Sequence, residues 1–229
     1  MIPADRGLFL SETRRLHPDL CRYVSQAFYE SKLLPHASTF GQGVSSGSRL
    51  GAGAGLLFIP VEHDHRAARS AEEARLAAEI VEELLRCRWT DEKGREASLT
   101  AADILLVAPY NAQVAELSRA VQDRLGFPPR AGTVDKFQGQ EAAVVLYSMA
   151  TSSPEDAPRH LDFLYSRNRL NVAVSRARCF AVVLASPKLL DVQCKTPELM
   201  RALNAFCQLL EASRGVASPD RTALGDGAH

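Results

Sequence analysis

Asp103-Ile104-Leu105-Leu106-Val107-Ala108-Pro109-Tyr110-Asn111 is the stretch from which the fold follows. An unbroken apolar run between an acid and a proline reads as a strand buried on both faces, the habit of parallel sheets. Asn111 stands where a side chain caps a helix. Val114, Leu117, Val121 and Leu125 then recur at helical spacing. Gly126 and Pro128 end that helix, and Ala131-Gly132-Thr133-Val134 resumes as a strand. Strand, capped helix and strand in this order make a βαβ unit.

The alternation continues outward. Upstream, Leu8-Phe9-Leu10 reads as a short strand. Pro18 suits a first helical position, ahead of the stripe Leu20, Val24 and Phe28. Gly55 to Glu62 is a strand with Pro60 at a sheet margin. Ser70 to Arg86 is a helix opened by a capping box of Ser70 and Glu73. Downstream, Ala142 to Tyr147 and Cys179 to Ser186 are strands, and residues near 160–177 read as one helix. On that helix Arg169 and Arg176 share a face, opposite Leu170, Ala173, Val174 and Ala177. Thr196-Pro197 opens the last helix.

These elements predict an α/β domain of three layers, with five or six parallel strands. It covers residues 1–212, and a Gly/Ser/Pro/Asp-rich tail, 213–229, is expected to be disordered. Residues 36–54 carry five glycines and four serines, and read as a flexible surface loop. Residues 88–99 read as a surface connection. His63-Asp64-His65 reads as a polar loop, not a metal site, because adjacent side chains point different ways.

The 229 residues hold 27 basic and 27 acidic side chains, so global charge does not announce a nucleic-acid binder. Local charge says more. Residues 159–178 contain five arginines and one acid, Asp162. Arginine without lysine suits forked recognition of phosphate or carboxylate. Five scattered cysteines without a C-x-x-C spacing argue against a disulfide framework and fit a reducing cytoplasm. No apolar run approaches the ~20 residues that span a bilayer, so no membrane partner is expected.

Two polar strings stand out. Gly132-Thr133-Val134-Asp135-Lys136-Phe137-Gln138-Gly139-Gln140-Glu141 lies between two apolar strands, where loops commonly carry function. Arg169-Leu170-Asn171-Val172-Ala173-Val174-Ser175-Arg176-Ala177-Arg178 follows about thirty residues later. They resemble motifs V and VI of superfamily I helicases. Glu12-Thr13-Arg14-Arg15-Leu16-His17-Pro18 is similar to the motif IV pattern Gln-Tyr-Arg-Met-His-Pro, and Pro109-Tyr110-Asn111-Ala112-Gln113 resembles a family element near the nucleic-acid path. The likeness spans roughly residues 8–191. It is greatest to the C-terminal RecA-like domain of bacterial helicases fused to a RecB-like nuclease.

That resemblance implies a RecA-like fold and a set of roles. Arg15 and Arg176 would reach the terminal phosphate of ATP. Gly139 would offer its backbone to phosphate, and Glu141 would meet the ribose. Arg14 stands where the family has an aromatic that stacks on the base. Thr133 would hold the nucleic-acid backbone, with Tyr110, Asn111 and Gln113 nearby. The implied partner is a single strand, with DNA favoured by the likeness to helicase-nucleases. The chain has no G-x-x-x-x-G-K-[ST] order and no Gly-Lys pair anywhere. The phosphate-binding lysine and the Mg²⁺ site are therefore expected on an N-terminal RecA-like domain of the same polypeptide, and this chain alone is expected to be inactive. A non-catalytic nucleic-acid-binding or scaffolding module with the same fold is the alternative. An unrelated Rossmann enzyme is disfavoured, because no G-x-G-x-x-G opens a helix after a strand.

Overall fold

The computed structural model describes residues 9–137, 139–158, 161–192 and 196–215. In chain order the elements begin β1 (Glu12–Thr13), α1 (Pro18–Phe28), β2 (Leu34–Pro35), β3 (Gly43–Val44), β4 (Gly55–Pro60) and α2 (Ala71–Leu84). They continue with β5 (Arg88–Thr90), β6 (Glu96–Ser98), β7 (Ile104–Ala108), α3 (Asn111–Leu125), β8 (Ala131–Thr133) and β9 (Ala142–Ser148). The chain then forms α4 (Leu161–Leu164), α5 (Arg167–Ser175), β10 (Ala177–Ala185), α6 (Pro197–Ala212) and β11 (Arg214–Gly215).

Six strands form one sheet in the order β11-β4-β10-β9-β7-β8, parallel at every pairing. Alternate residues of each strand feed opposite faces. Leu105, Val107, Val145, Tyr147, Ala181 and Val183 pack with α1, α5 and α6. Ile104, Leu106, Val144, Leu146, Val182 and Leu184 pack with α2 and α3. A sheet covered on both faces needs continuous apolar strands, which is what the sequence shows. The fold is the three-layer α/β arrangement expected, RecA-like in its parallel sheet and flanking helices.

Several local expectations need correction. Phe9 and Leu10 are not a strand. The chain first pairs at β1, in parallel with β2, and Leu8 lies outside the described residues. The glycine-rich stretch is anchored, not a free loop. β3 joins β5 and β6 in a small antiparallel sheet, Thr39, Gln42 and Leu50 are buried, and Arg49 forks onto Glu79 and Glu83 of α2. The same sheet turns the expected surface connection into a hairpin. Tyr110, not Asn111, takes the N-cap position of α3. The single helix near 160–177 is two, because Ser166 caps a new start at α5. At the start of the expected tail, Arg214 and Gly215 form β11 and pair with β4; residues 216–229 lie outside those described.

The capping box at α2 is half built. Ser70 Oγ accepts from the Glu73 amide at 3.1 Å, but the Glu73 carboxylate turns inward. It meets His63 Nε2 at 2.9 Å, the Ala150 amide at 2.9 Å and the Ser148 hydroxyl. His63 Nδ1 lies 2.6 Å from Ser152 Oγ. His63 is therefore buried structure, not part of a solvated loop. Among the described residues no three His, Cys, Asp or Glu side chains group to hold a metal, and no helix is long and apolar enough to cross a membrane. Leaving one member of a buried polar set unpaired costs about 3 kcal/mol. Glu73→Ala should therefore lower unfolding free energy in urea by about that amount, whereas exposed Asp64→Ala should change it by less than about 0.5 kcal/mol.

Candidate functional site

Parallel strands force every connection back across the sheet, and this separates residues that the sequence holds close. Thr133 lies level with Ala108 and so with the C-terminal end of β9 at Ser148. Glu141 precedes the other end of β9. The eight-residue stretch 134–141 thus descends about 23 Å, seven strand residues at roughly 3.3 Å each. Thr133 therefore shares the edge of the Tyr110 loop, and Glu141 lies at the other. Two clefts result, at opposite ends of the sheet.

The first, of about 490 Å³, opens at the N-terminal ends of β9 and β10 and is lined by Arg14, Arg15, Tyr29, Glu141, Arg176 and Arg178, among others. Glu141 is its pivot. Its Oε2 accepts from Arg15 Nε at 2.6 Å, and its Oε1 pairs with Arg178 Nη2. Partial burial opposes ionisation of Glu141, but the hydrogen bonds from Arg15 and Arg178 outweigh it and hold the carboxyl below the usual carboxylate range. Arg15 also donates to the Ser175 carbonyl at 3.2 Å, using an acceptor that the end of α5 leaves free.

Arg176 occupies the C-cap position of α5. Its Nε is buried without a hydrogen-bond partner, and among the described residues its guanidinium forms no ion pair. Burial, and then the nearby charge of Arg15, push its pKa down. A half-buried cation beside a second cation is a site for an anion that has both charges to satisfy. Arg14 is different: its side chain is 75% exposed, and its guanidinium lies 4.0 Å from Glu12. Gly139 has φ +83°, a left-handed turn that a side chain would strain, and open space beyond its Cα.

The second cleft, of about 330 Å³, lies off the C-terminal ends of β7 and β8 and gathers Tyr110, Asn111, Thr133, Asp135, Phe163 and Arg169. The Tyr110 and Phe163 rings stack at 5.6 Å. The Arg169 guanidinium covers Phe163 at 4.1 Å and reaches Asp135 at 3.4 Å. Arg169 and Arg176 therefore serve different clefts, not one face. Gln113 reaches neither. It is fully buried, accepting from the Ser70 amide at 2.7 Å and donating to Ser148 Oγ at 2.8 Å.

Sequence reading passed over Arg178, Phe163, Asp135 and Arg169 as site residues. The i,i+2 spacing of Arg176 and Arg178 at a strand start was the available signal. The register shift between Ala177 and Phe180 was not visible, and such a bulge re-aims a side chain.

The family model described as "AAA domain" (AAA_12) matches residues 4–188. The chain belongs to this AAA domain family. It is 39% identical over 115 residues to "Probable RNA helicase armi" of Drosophila melanogaster, covering 48% of this chain and 9% of that protein. It is 29% identical over 185 residues to "DNA-binding protein SMUBP-2" of Rattus norvegicus, covering 74% and 17%. Among solved structures, the C-terminal domain of a possible DNA helicase from Lactobacillus plantarum aligns with TM-score 0.40 and 12% identity, over 83% of this chain and 94% of that one. The chain spans between 8% and 18% of the length of the curated relatives quoted and others like them. The AAA domain match encloses both clefts, from Arg14 to Arg178.

The lowered pKa of Glu141 has a measurable sign. A carboxyl depressed on folding adds stability above its unfolded pKa, and that increment is lost as pH falls through the folded value. Glu141→Gln should therefore melt lower than the parent chain at neutral pH, and the gap in Tm should close as the solution is acidified below the ordinary carboxylate range.

Proposed function

We propose that this AAA domain is the second motor domain of an ATP-dependent nucleic-acid helicase or translocase, with the N-terminal-edge cleft closing on the nucleotide's phosphates. The unpaired Arg176 guanidinium beside Arg15 carries this reading. Phosphoryl transfer builds negative charge on the equatorial oxygens, and arginines delivered to that charge raise rates by ~10³–10⁵. Arg176 is free to move to such an anion, and Arg15 would follow by exchanging Glu141 for it. Glu141, released from Arg15 but kept by Arg178, would then be free to accept from ribose hydroxyls. The Gly139 turn would bring backbone close to phosphate. Arg14, exposed beside the cleft, can lay its guanidinium over a base.

The lysine that contacts β/γ-phosphates and the acid that holds Mg²⁺ would come from an N-terminal RecA-like domain, since this sequence has no P-loop. The cleft that stacks Tyr110, Phe163 and Arg169 below Thr133 would receive a single strand. An aromatic platform and a cation suit bases and backbone of any sequence. Single-stranded DNA is the favoured partner, from the likeness to bacterial helicase-nucleases that work in the cytoplasm.

The test joins this chain to the P-loop domain of its own polypeptide and measures ATP hydrolysis with and without single-stranded DNA. Hydrolysis should need both parts, and Arg176→Ala should lower kcat by about 10³ or more without lowering Tm. Turnover by the 229-residue chain alone, insensitive to Arg176→Ala, would overturn the reading. In the joined protein, Arg169→Ala should weaken single-strand binding and reduce the slope of log K against log salt by about 0.7. Binding that ignores nucleotide altogether would favour the non-catalytic module.

A further inference from the structure

Arg178 is held from two sides. Its Nη2 pairs with Glu141 at the floor of the arginine cleft, and its Nη1 donates to Glu92 Oε2 at 3.0 Å. Glu92 belongs to the turn between β5 and β6, outside every motif the sequence reading singled out. Trp89, the only tryptophan of the chain, lies on β5 with the Arg178 guanidinium 5.8 Å from its ring centre. The turn is firm. Asp91 Oδ1 accepts from the amides of Lys93 and Arg95 at 2.8 and 2.9 Å, and Asp91 Oδ2 accepts from Arg95 Nε at 2.8 Å. Gly94 supplies the left-handed residue at φ +73°. Glu92 is thus presented to Arg178 by a closed loop.

Carboxylates and guanidinium groups alternate along one line: Glu92, Arg178, Glu141, Arg15, with Arg176 unpaired beside its end. In such a line each charge divides itself between its neighbours. Glu92 draws Arg178 away from Glu141, so Glu141 leans on Arg15. We propose that the β5–β6 hairpin tunes and reports occupancy of the arginine cleft, with Glu92 as a positioning residue that sets how readily Glu141 gives up Arg15 to a polyphosphate. This rests on reading the cleft as a polyphosphate site. An anion that takes Arg15 leaves the Glu141 charge to Arg178 alone. Arg178 shifts toward Glu141, and its place over Trp89 changes with it.

The consequence has an unusual sign. Glu92→Gln keeps a neutral acceptor for Arg178 but ends the competition, so polyphosphate should bind more tightly, by about two- to fivefold, the scale of a partly exposed charge pair. Arg178→Gln leaves Glu141 dependent on Arg15 and should weaken binding. A purely structural role for the hairpin would weaken binding in both variants, and misfolding does not raise affinity.

The experiment titrates the 229-residue chain with inorganic tripolyphosphate, which does not absorb where tryptophan emits. Affinity is read by calorimetry and Trp89 emission is followed in parallel. The expected result is a saturable change in Trp89 emission, tightened by Glu92→Gln and absent in Arg176→Ala. Equal or weaker binding by Glu92→Gln, or heat of binding without any emission change, overturns the role of the hairpin alone. No binding by the parent chain overturns the polyphosphate reading of the cleft as well.

Discussion

Parallel pairing of β8, β7 and β9 is the constraint that shapes both clefts. Neighbouring strands that run the same way leave the chain at the wrong end after each one, so it must recross the sheet before pairing again. The segment 134–141 makes that crossing once, and α5 makes it again between Phe163 and Arg178. Each therefore starts at one cleft and ends at the other. Asp135 faces Arg169 at the C-terminal edge, while Glu141 faces Arg178 at the N-terminal edge. Elements that touch two sites are the material from which coupling between them is made. Here the contact at both ends is an arginine against an acid.

The electrostatics of the first cleft are unbalanced by design of the helix end. Arg15 and Arg176 approach each other, yet the one acid between the arginines, Glu141, is spent on Arg15 and Arg178. What makes Arg176 tolerable is its place. A cation at the C-cap of a helix lies near the negative end of the dipole, typically worth 0.3–1 kcal/mol, and the Arg176 carbonyl is used by the Ala142 amide at 3.0 Å. The main chain is thus fixed while the side chain stays uncommitted. Burial and the nearby Arg15 push the guanidinium pKa down, a sign that this cation is better placed beside an anion than alone.

Much of the fold was legible because burial on both faces leaves a plain mark. β4, β7, β9 and β10 are apolar runs, and the stripes on α1, α2, α3 and α6 are regular. The misreadings share a physical cause, a partner distant in sequence. Nothing near residues 36–54 reveals that Arg49 will find Glu79 and Glu83, or that Val44 will pair with Trp89. Nothing near Arg178 reveals Glu92. Arg15, Glu141 and Arg176 were legible as a set only through likeness to a family, because they come from three separated segments. Their division from Thr133, Tyr110 and Asn111 into a separate cleft follows from strand direction, which the βαβ pattern already implied.

Gln113 shows how a residue can matter to a cleft it never touches. Its side chain is closed off from solvent and lines neither cleft. It instead bonds both the amide and the carbonyl of Ser70, and it donates to Ser148, which in turn bonds Glu73. Those residues are the start of α2 and the end of β9. The first turn of α3 is thereby fixed to the ends of two neighbouring elements, and Tyr110 and Asn111 are the residues that open that turn. Glu73 extends the same lock to Ala150, whose backbone sits at φ +68°, a costly conformation for alanine that the surrounding bonds maintain. The polar set around Glu73 thus does for the C-terminal edge what Glu141 does for the other. Each brings loops from separate crossovers to one level, and a cleft built from several loops holds its shape only while that level is kept.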